Sequence, residues 1–349
     1  MSYLLSACSP PLDIHSTRAA TTSFLPTLPS QSNAKPGILL TPTTPFYAND
    51  KPSLKYNSWD LVHDINYSPD GKLLAVSAGE KVYIYEADSL TLRFILSPGA
   101  WTNRLAFHPT GPLIALAVRD GSIQFWDTVK GTLICQFTAH KKGANSLAIH
   151  PGGTKLATTG TDITSRLWDI SSVAAGNCNV SEIGGLIGES YSSPEVTFSP
   201  DGKLIALVDR TNLRLRNSEN RKLIALLKGD LPIFDIAFSP DGRWLTIAEH
   251  QDTVALWDIS KPSKPKLSVL ALVDSNPKDH IWRVAFSPDS RLLAAGASDG
   301  SLKVWDITMM QLISTYQFPR AVTALAFSPD GKQLAAGGLD AQVWILSSP

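Results

Sequence analysis

Histidines, cysteines and carboxylates are where a chain of 349 residues would keep its chemistry, and in this one they are sparse or repetitive. The seven histidines are His15, His63, His108, His140, His150, His250 and His280. No two of them share metal-ligand spacing with a nearby carboxylate. No glycine-rich loop opens a helix to cradle a phosphate. No Gly-x-Ser-x-Gly elbow offers a nucleophile. Cys8, Cys135 and Cys178 are too few for a disulfide scaffold and lack zinc spacing. The conspicuous carboxylates recur along the chain as Asp-Gly and Trp-Asp pairs, which marks them as structural. These patterns predict no enzyme activity, no cofactor and no metal. Lys+Arg and Asp+Glu balance at 31 each, which argues against a nucleic-acid partner, because phosphate neutralisation needs a basic excess. No stretch approaches the roughly 20 apolar residues of a spanning helix.

The elements behind the recurring pairs are themselves recurrent. Ser68-Pro69-Asp70-Gly71 returns in variant form at Pro109, Pro151, Pro200, Pro240, Pro288 and Pro329, at intervals of 40, 42, 49, 40, 48 and 41 residues. Proline presets φ, Asp caps locally and Gly accepts positive φ, so each copy predicts a tight turn. Short apolar runs flank it, as in Val284-Ala285-Phe286 and Leu292-Leu293-Ala294-Ala295. A third run ends at Tyr85-Glu86, Trp126-Asp127, Trp168-Asp169, Arg216-Asn217, Trp257-Asp258, Trp305-Asp306 or Trp344-Ile345, and a weaker fourth run follows. Runs of this length and composition read as strands. Four strands cannot bury both faces alone; stacked radially, each sheet covers its neighbour.

This pattern resembles the WD40 repeat family over roughly Leu54 to Leu346. Seven copies then imply an all-β fold, a seven-bladed β-propeller of four-stranded antiparallel blades. The resemblance also implies a structural tetrad of His, Ser/Thr, Asp and Trp, complete only in the third blade as His140, Thr158, Asp162 and Trp168. The seventh copy ends soon after Trp344, so its outer strand is expected from residues 51–57, within a propeller spanning 51–349. Two stretches lengthen the period, Ser171 to Gly188 and Lys261 to Lys278, and both are read as long loops. Cys135 and Cys178 fall in or near outer strands of neighbouring blades, which diverge, so both are expected to be free thiols.

With no catalytic constellation, the remaining function is surface. Aligning the start of each innermost strand gives one column of Asp64, Arg104, Ser146, Glu195, Asp235, Arg283 and Ala324. A second holds His63, Asn103, Asn145, Pro194, Phe234, Trp282 and Thr323. With Trp59, Trp101, Tyr191 and His280 nearby, the candidate partner-binding face is Trp59, Asp64, Trp101, Arg104, Tyr191, Phe234, Asp235, His280, Trp282 and Arg283. The competing reading is that Asp64–Arg104 and Asp235–Arg283 pair with each other and the aromatics pack between blades. The expected function is a non-catalytic scaffold for protein partners.

Residues 9–50 hold seven prolines and twelve Ser/Thr and read as a disordered tether. Before it, Leu5-Ser6-Ala7-Cys8 resembles a bacterial lipobox, with Cys8 as the lipidation site. Only Met1 to Leu4 precede the box, so residues 1–8 would be a truncated lipoprotein signal. That opens an alternative, a scaffold or sensor anchored at the bacterial envelope outside the membrane; an inert thiol on a cytoplasmic chain is the other. A propeller hydrolase or lactonase is a further alternative and would need metal or substrate in the channel.

Overall fold

A computed structural model describes residues 12–13, 52–187, 195–209, 211–228, 231–249, 254–270 and 280–348. The anchor segment 1–8 with Cys8, nearly all of the tether and Tyr191 lie outside the described residues. The described chain forms seven antiparallel sheets, each built on four strands that run outward from a central channel. Blade one is Val62–Tyr67, Leu73–Ala78, Lys81–Glu86 and Leu92–Leu96. The other innermost strands are Thr102–Phe107, Ala144–Ile149, Val196–Phe198, Ile233–Phe238, Ile281–Phe286 and Val322–Phe327. Leu12–Asp13 adds a short parallel strand to the outer edge of blade four.

Burial follows position in the blade. Second strands such as Leu73–Ala78 and Leu113–Val118 are buried at every residue, because a neighbouring sheet covers each face. Outer strands such as Leu92–Leu96 are mostly exposed. Apolar clusters fill every space between blades, including the one that joins blade seven to blade one through Val62, Ile65, Ala324, Ala335 and Val343. The ring is therefore closed by packing as well as by strand pairing. That pairing is Leu54–Lys55 antiparallel to Gln342–Val343, with Ser53 N–H to Val343 O at 2.8 Å and Tyr56 N–H to Ala341 O at 2.9 Å.

The recurring turn works as its chemistry suggests. Ser68 Oγ donates to Asp70 and accepts from the Leu73 N–H, while Gly71 sits at φ 72°. Where histidine replaces the serine it adds a reach to the next blade. His108 Nδ1 accepts from the Gly111 N–H, which makes Nε2 the donor, and Nε2 lies 2.9 Å from Gly153 O. His150 repeats this to Gly202 O at 3.1 Å.

Two expectations are corrected. Cys135 and Cys178 are joined by a disulfide, with Cα atoms 5.0 Å apart. The argument from diverging outer strands does not apply, because Cys178 is not on one. It follows the short 3-10 turn Val173–Ala175, in a segment that folds back over blade two's outer strand. Val173 and Val180 pack there against the cluster that contains Cys135. The two long loops are also shorter than expected, since they contain outer strands, Ser181–Ile187 and Lys266–Leu270. Paired glycines in one and flanking lysines in the other mask a strand signal.

Candidate functional site

Among the described residues, six innermost strands carry the same irregularity near their start. In blade one Val62 faces Ala78 and Asp64 faces Ser77, leaving His63 without a cross-strand partner. Asn103, Asn145, Phe234, Trp282 and Thr323 hold the same position in five other blades. These are β-bulges, which re-aim side chains that a regular strand would send to alternate faces. All six bulged residues line one cavity of about 820 Å³ at the mouth of the channel. The two sequence columns are thus two storeys: bulged residues form the wall, and the residues after them form the floor.

The floor is a ring of opposed charge. Arg104 NH2 lies 2.6 Å from both Glu195 Oε2 and Asp235 Oδ1, and NH1 lies 3.7 Å from Asp64 Oδ1. Arg283 sits 3.5 Å from Asp64 and 3.7 Å from Asp235, and donates to the carbonyls of Thr323 and His63. Ser146 Oγ donates to Glu195 at 2.8 Å. Each aspartate also accepts a backbone N–H from the next blade, Leu105 for Asp64 and Val284 for Asp235, both at 2.9 Å. The ring thereby stitches all seven blades across the channel, blade seven through the Thr323 carbonyl. It also separates the mouth cavity from one of about 410 Å³ beneath it.

Electrostatics follow from burial. Burial pushes the Asp64 and Asp235 carboxyls up, against the pull of Arg104. Glu195 is pushed up to about 7 by burial; Arg104 opposes this and Asp235 adds to it. Burial works against the charge on Arg104, yet its carboxylates overcome that and hold it protonated. His63 is lowered to about 4 by burial and by Arg119, so it is neutral at pH 7.

The candidate partner face divides accordingly. Asp64, Asp235 and Arg283 are buried in the ring and Arg104 nearly so; all four are held by partners within it, while both arginines still line the mouth cavity. Seven strands converging on one axis turn these side chains inward, toward each other. The aromatics stay at the rim. Phe234 lies 4.8 Å from Trp282 and 5.5 Å from His280, centroid to centroid. Across the mouth His63 and Trp101 are 4.9 Å apart, and the Arg119 guanidinium stacks 4.6 Å over Trp101. Trp59 is 85% exposed. Arg119 was missed by the sequence reading. It sits at a hairpin tip beside Asp120-Gly121, and the repeat aligns strands better than tips.

Away from the channel, His140 Nε2 lies 2.9 Å from Thr158 Oγ1, and Nδ1 lies 2.9 Å from Asp162. Trp168 Nε1 donates to the same Thr158 hydroxyl at 2.8 Å, so the chain of four is continuous. Burial lowers the His140 pKa against the raising effect of Asp162. Thr164 joins the network through Asp162 at 2.7 Å. No group of three His, Cys, Asp or Glu among the described residues is arranged to hold a metal. No helix among them is long and apolar enough to cross a membrane.

Comparison with known proteins matches the WD domain, G-beta repeat, at residues 94–127, 131–169, 221–258, 271–306 and 310–346. The chain is 30% identical to Nuclear distribution protein PAC1 of Arthroderma benhamiae over 179 residues, 48% of this chain and 37% of that one. It is 31% identical to Protein groucho of Drosophila melanogaster over 205 residues, 57% of this chain and 27% of that one. Telomerase protein component 1 of Rattus norvegicus is 28% identical over 160 residues, 44% of this chain and 6% of that protein. The matched region is thus little more than a third of these relatives' length at most.

Proposed function

The chain belongs to the WD40 repeat family, and from that footing we propose that it acts as a rigid, non-catalytic platform that docks protein partners at the channel mouth. The observation that carries this reading is the double aromatic rim: Trp101 with His63 on one side, and Phe234 with His280 and Trp282 on the other. Aromatic and arginine side chains around a hollow are the types that dominate binding hot spots. A closed ring holds them at fixed geometry, so docking loses little ordering entropy. The relatives' names span nuclear distribution and telomerase and share no reaction, which suits display better than catalysis. Asp64 and Asp235 support the same reading. They are tied to arginine and to backbone N–H groups, as struts and not as acids or bases.

Trp101→Ala and Trp282→Ala are each expected to weaken capture of native partners about thirtyfold, a hot-spot effect, with circular dichroism unchanged. Partners retained by both variants would move the docking site elsewhere. The anchored form of this platform rests on Leu5 to Cys8 alone, and the relatives compared are eukaryotic. A native N-terminus that still carries Met1 by mass spectrometry excludes it.

A further inference from the structure

The mouth cavity is chemically two-sided. Its blade five to seven wall is apolar, made by Ile233, Phe234, Trp282 and Leu339. The opposite wall, on blades one to three, carries His63, Asn103, Arg119 and Asn145. On that wall hydrogen-bonding capacity exceeds what the protein itself uses. The His63 Nε2 and Asn145 Nδ2 atoms are buried, and neither has a hydrogen-bond partner among the described residues. A polar atom left buried and unmet destabilises the empty site, so these two ask for an occupant.

Arg119 supplies the charge. Its Nε donates to Asn103 Oδ1 at 2.9 Å, and its guanidinium carbon lies 4.6 Å from the centre of the Trp101 ring. Asn103 is itself fixed by donating to Ala144 O at 2.8 Å. The guanidinium is thus positioned, and its terminal nitrogens have no hydrogen-bond partner among the described residues. No described carboxylate lies within ion-pair distance of it. The carboxylate lining the same cavity, Glu195, is already taken by Arg104 and Ser146. Asn145 Nδ2 can only donate, and Arg119 can only donate. Neutral His63 donates from Nε2 in one of its two tautomers, and with Arg119 unpaired by any described carboxylate such a wall fits an acceptor with negative charge.

Resting on the platform reading above, we propose that the mouth receives a carboxylate side chain, Asp or Glu, from a partner peptide. Arg119 forms its ion pair, and Asn145 and His63 complete its hydrogen bonds. The residue beside that acid is apolar and packs on Phe234 and Trp282. The positively charged wall and the aromatic wall then read two adjacent side chains of one extended segment.

The test is selection from a random-peptide phage library on the full-length chain. Enriched peptides are expected to share an acidic residue next to an aliphatic or aromatic one. A synthetic peptide of the enriched sequence should lose about tenfold or more in affinity on Arg119→Gln, and a comparable amount on Asn145→Leu. The second variant leaves the Trp101 stack in place and so separates charge recognition from loss of packing. Amidating the peptide's acidic side chain should cost as much, and the loss should not add to that of Arg119→Gln. Arg119→Glu should turn the selected preference toward Lys or Arg. Enriched peptides that lack an acid, yet still need Trp101 and Trp282, overturn the acidic pocket and leave the platform standing. A selection that enriches nothing overturns both.

Discussion

Replacing Arg104 with methionine is expected to lower folding stability by about 3–5 kcal/mol at pH 8, the range for removing one partner of a buried ion pair. Methionine keeps much of the stem's volume, so the loss is chiefly electrostatic. Asp64, Glu195 and Asp235 would remain packed in the channel with Arg283 as their single buried cation. The deficit has a pH signature. Glu195 ionises near 7 when folded against 4.5 as its ordinary value, so the folded chain holds that proton more tightly. Its contribution is complete below about pH 4.5 and is lost as pH rises through about 7. Asp64 and Asp235 are shifted upward as well, so their contributions have the same sign. Without Arg104 all three would rise further, since Arg104 is what pulls them down. Urea unfolding should therefore show the variant's deficit shrinking from pH 8 to pH 5. In the parent chain Glu195→Gln should flatten the slope between pH 5 and 7. An Arg104→Met deficit equal at both pH values would mean that the arginine acts through its packed stem alone.

The part of this fold that sequence reveals is the part that repeats. Each blade solves the same burial problem, so Pro-Asp-Gly turns and Trp-Asp ends return at nearly constant spacing, and the period counts the seven sheets. The channel ring is less legible for the same reason. Asp64, Arg104, Glu195, Asp235 and Arg283 share a column, but their fate depends on convergence around an axis, which no single blade encodes. Opposite charges in such a column fit an outward face and a buried ring equally well. The bulge at His63, Asn103 and Asn145 is invisible to a period of two, yet it places successive residues of both columns at the channel. The disulfide escapes because Cys178 lies on an insertion, whose path no repeat predicts. His108 and His150 look like substitutions for serine, and only the neighbouring turn shows what the longer side chain reaches.

Removing residues 1–56 is expected to lower the melting temperature by roughly 10 °C, whereas removing residues 1–44 should leave it nearly unchanged. The difference lies in a few residues. Ser53 and Tyr56 supply ladder hydrogen bonds to the last strand of blade seven, and the Ser53 hydroxyl accepts the Ile345 N–H at 3.2 Å. Leu54 and Tyr56 pack on the cluster that joins blades seven and one, where the Tyr56 ring lies 4.8 Å from Tyr83. Two partly buried side chains and their backbone bonds together come to about 4 kcal/mol. For a domain of this size that corresponds to the shift stated, at a few degrees per kcal/mol. The truncation also exposes Gln342–Ser347 as an unpaired edge, so concentration-dependent association should accompany the lower melting point. Both effects have one cause, a ring whose last sheet borrows its outer strand from the other end of the chain. Calorimetry of the two truncations side by side decides it. Equal melting temperatures would mean that packing between blades seven and one suffices to close the ring without Leu54–Lys55.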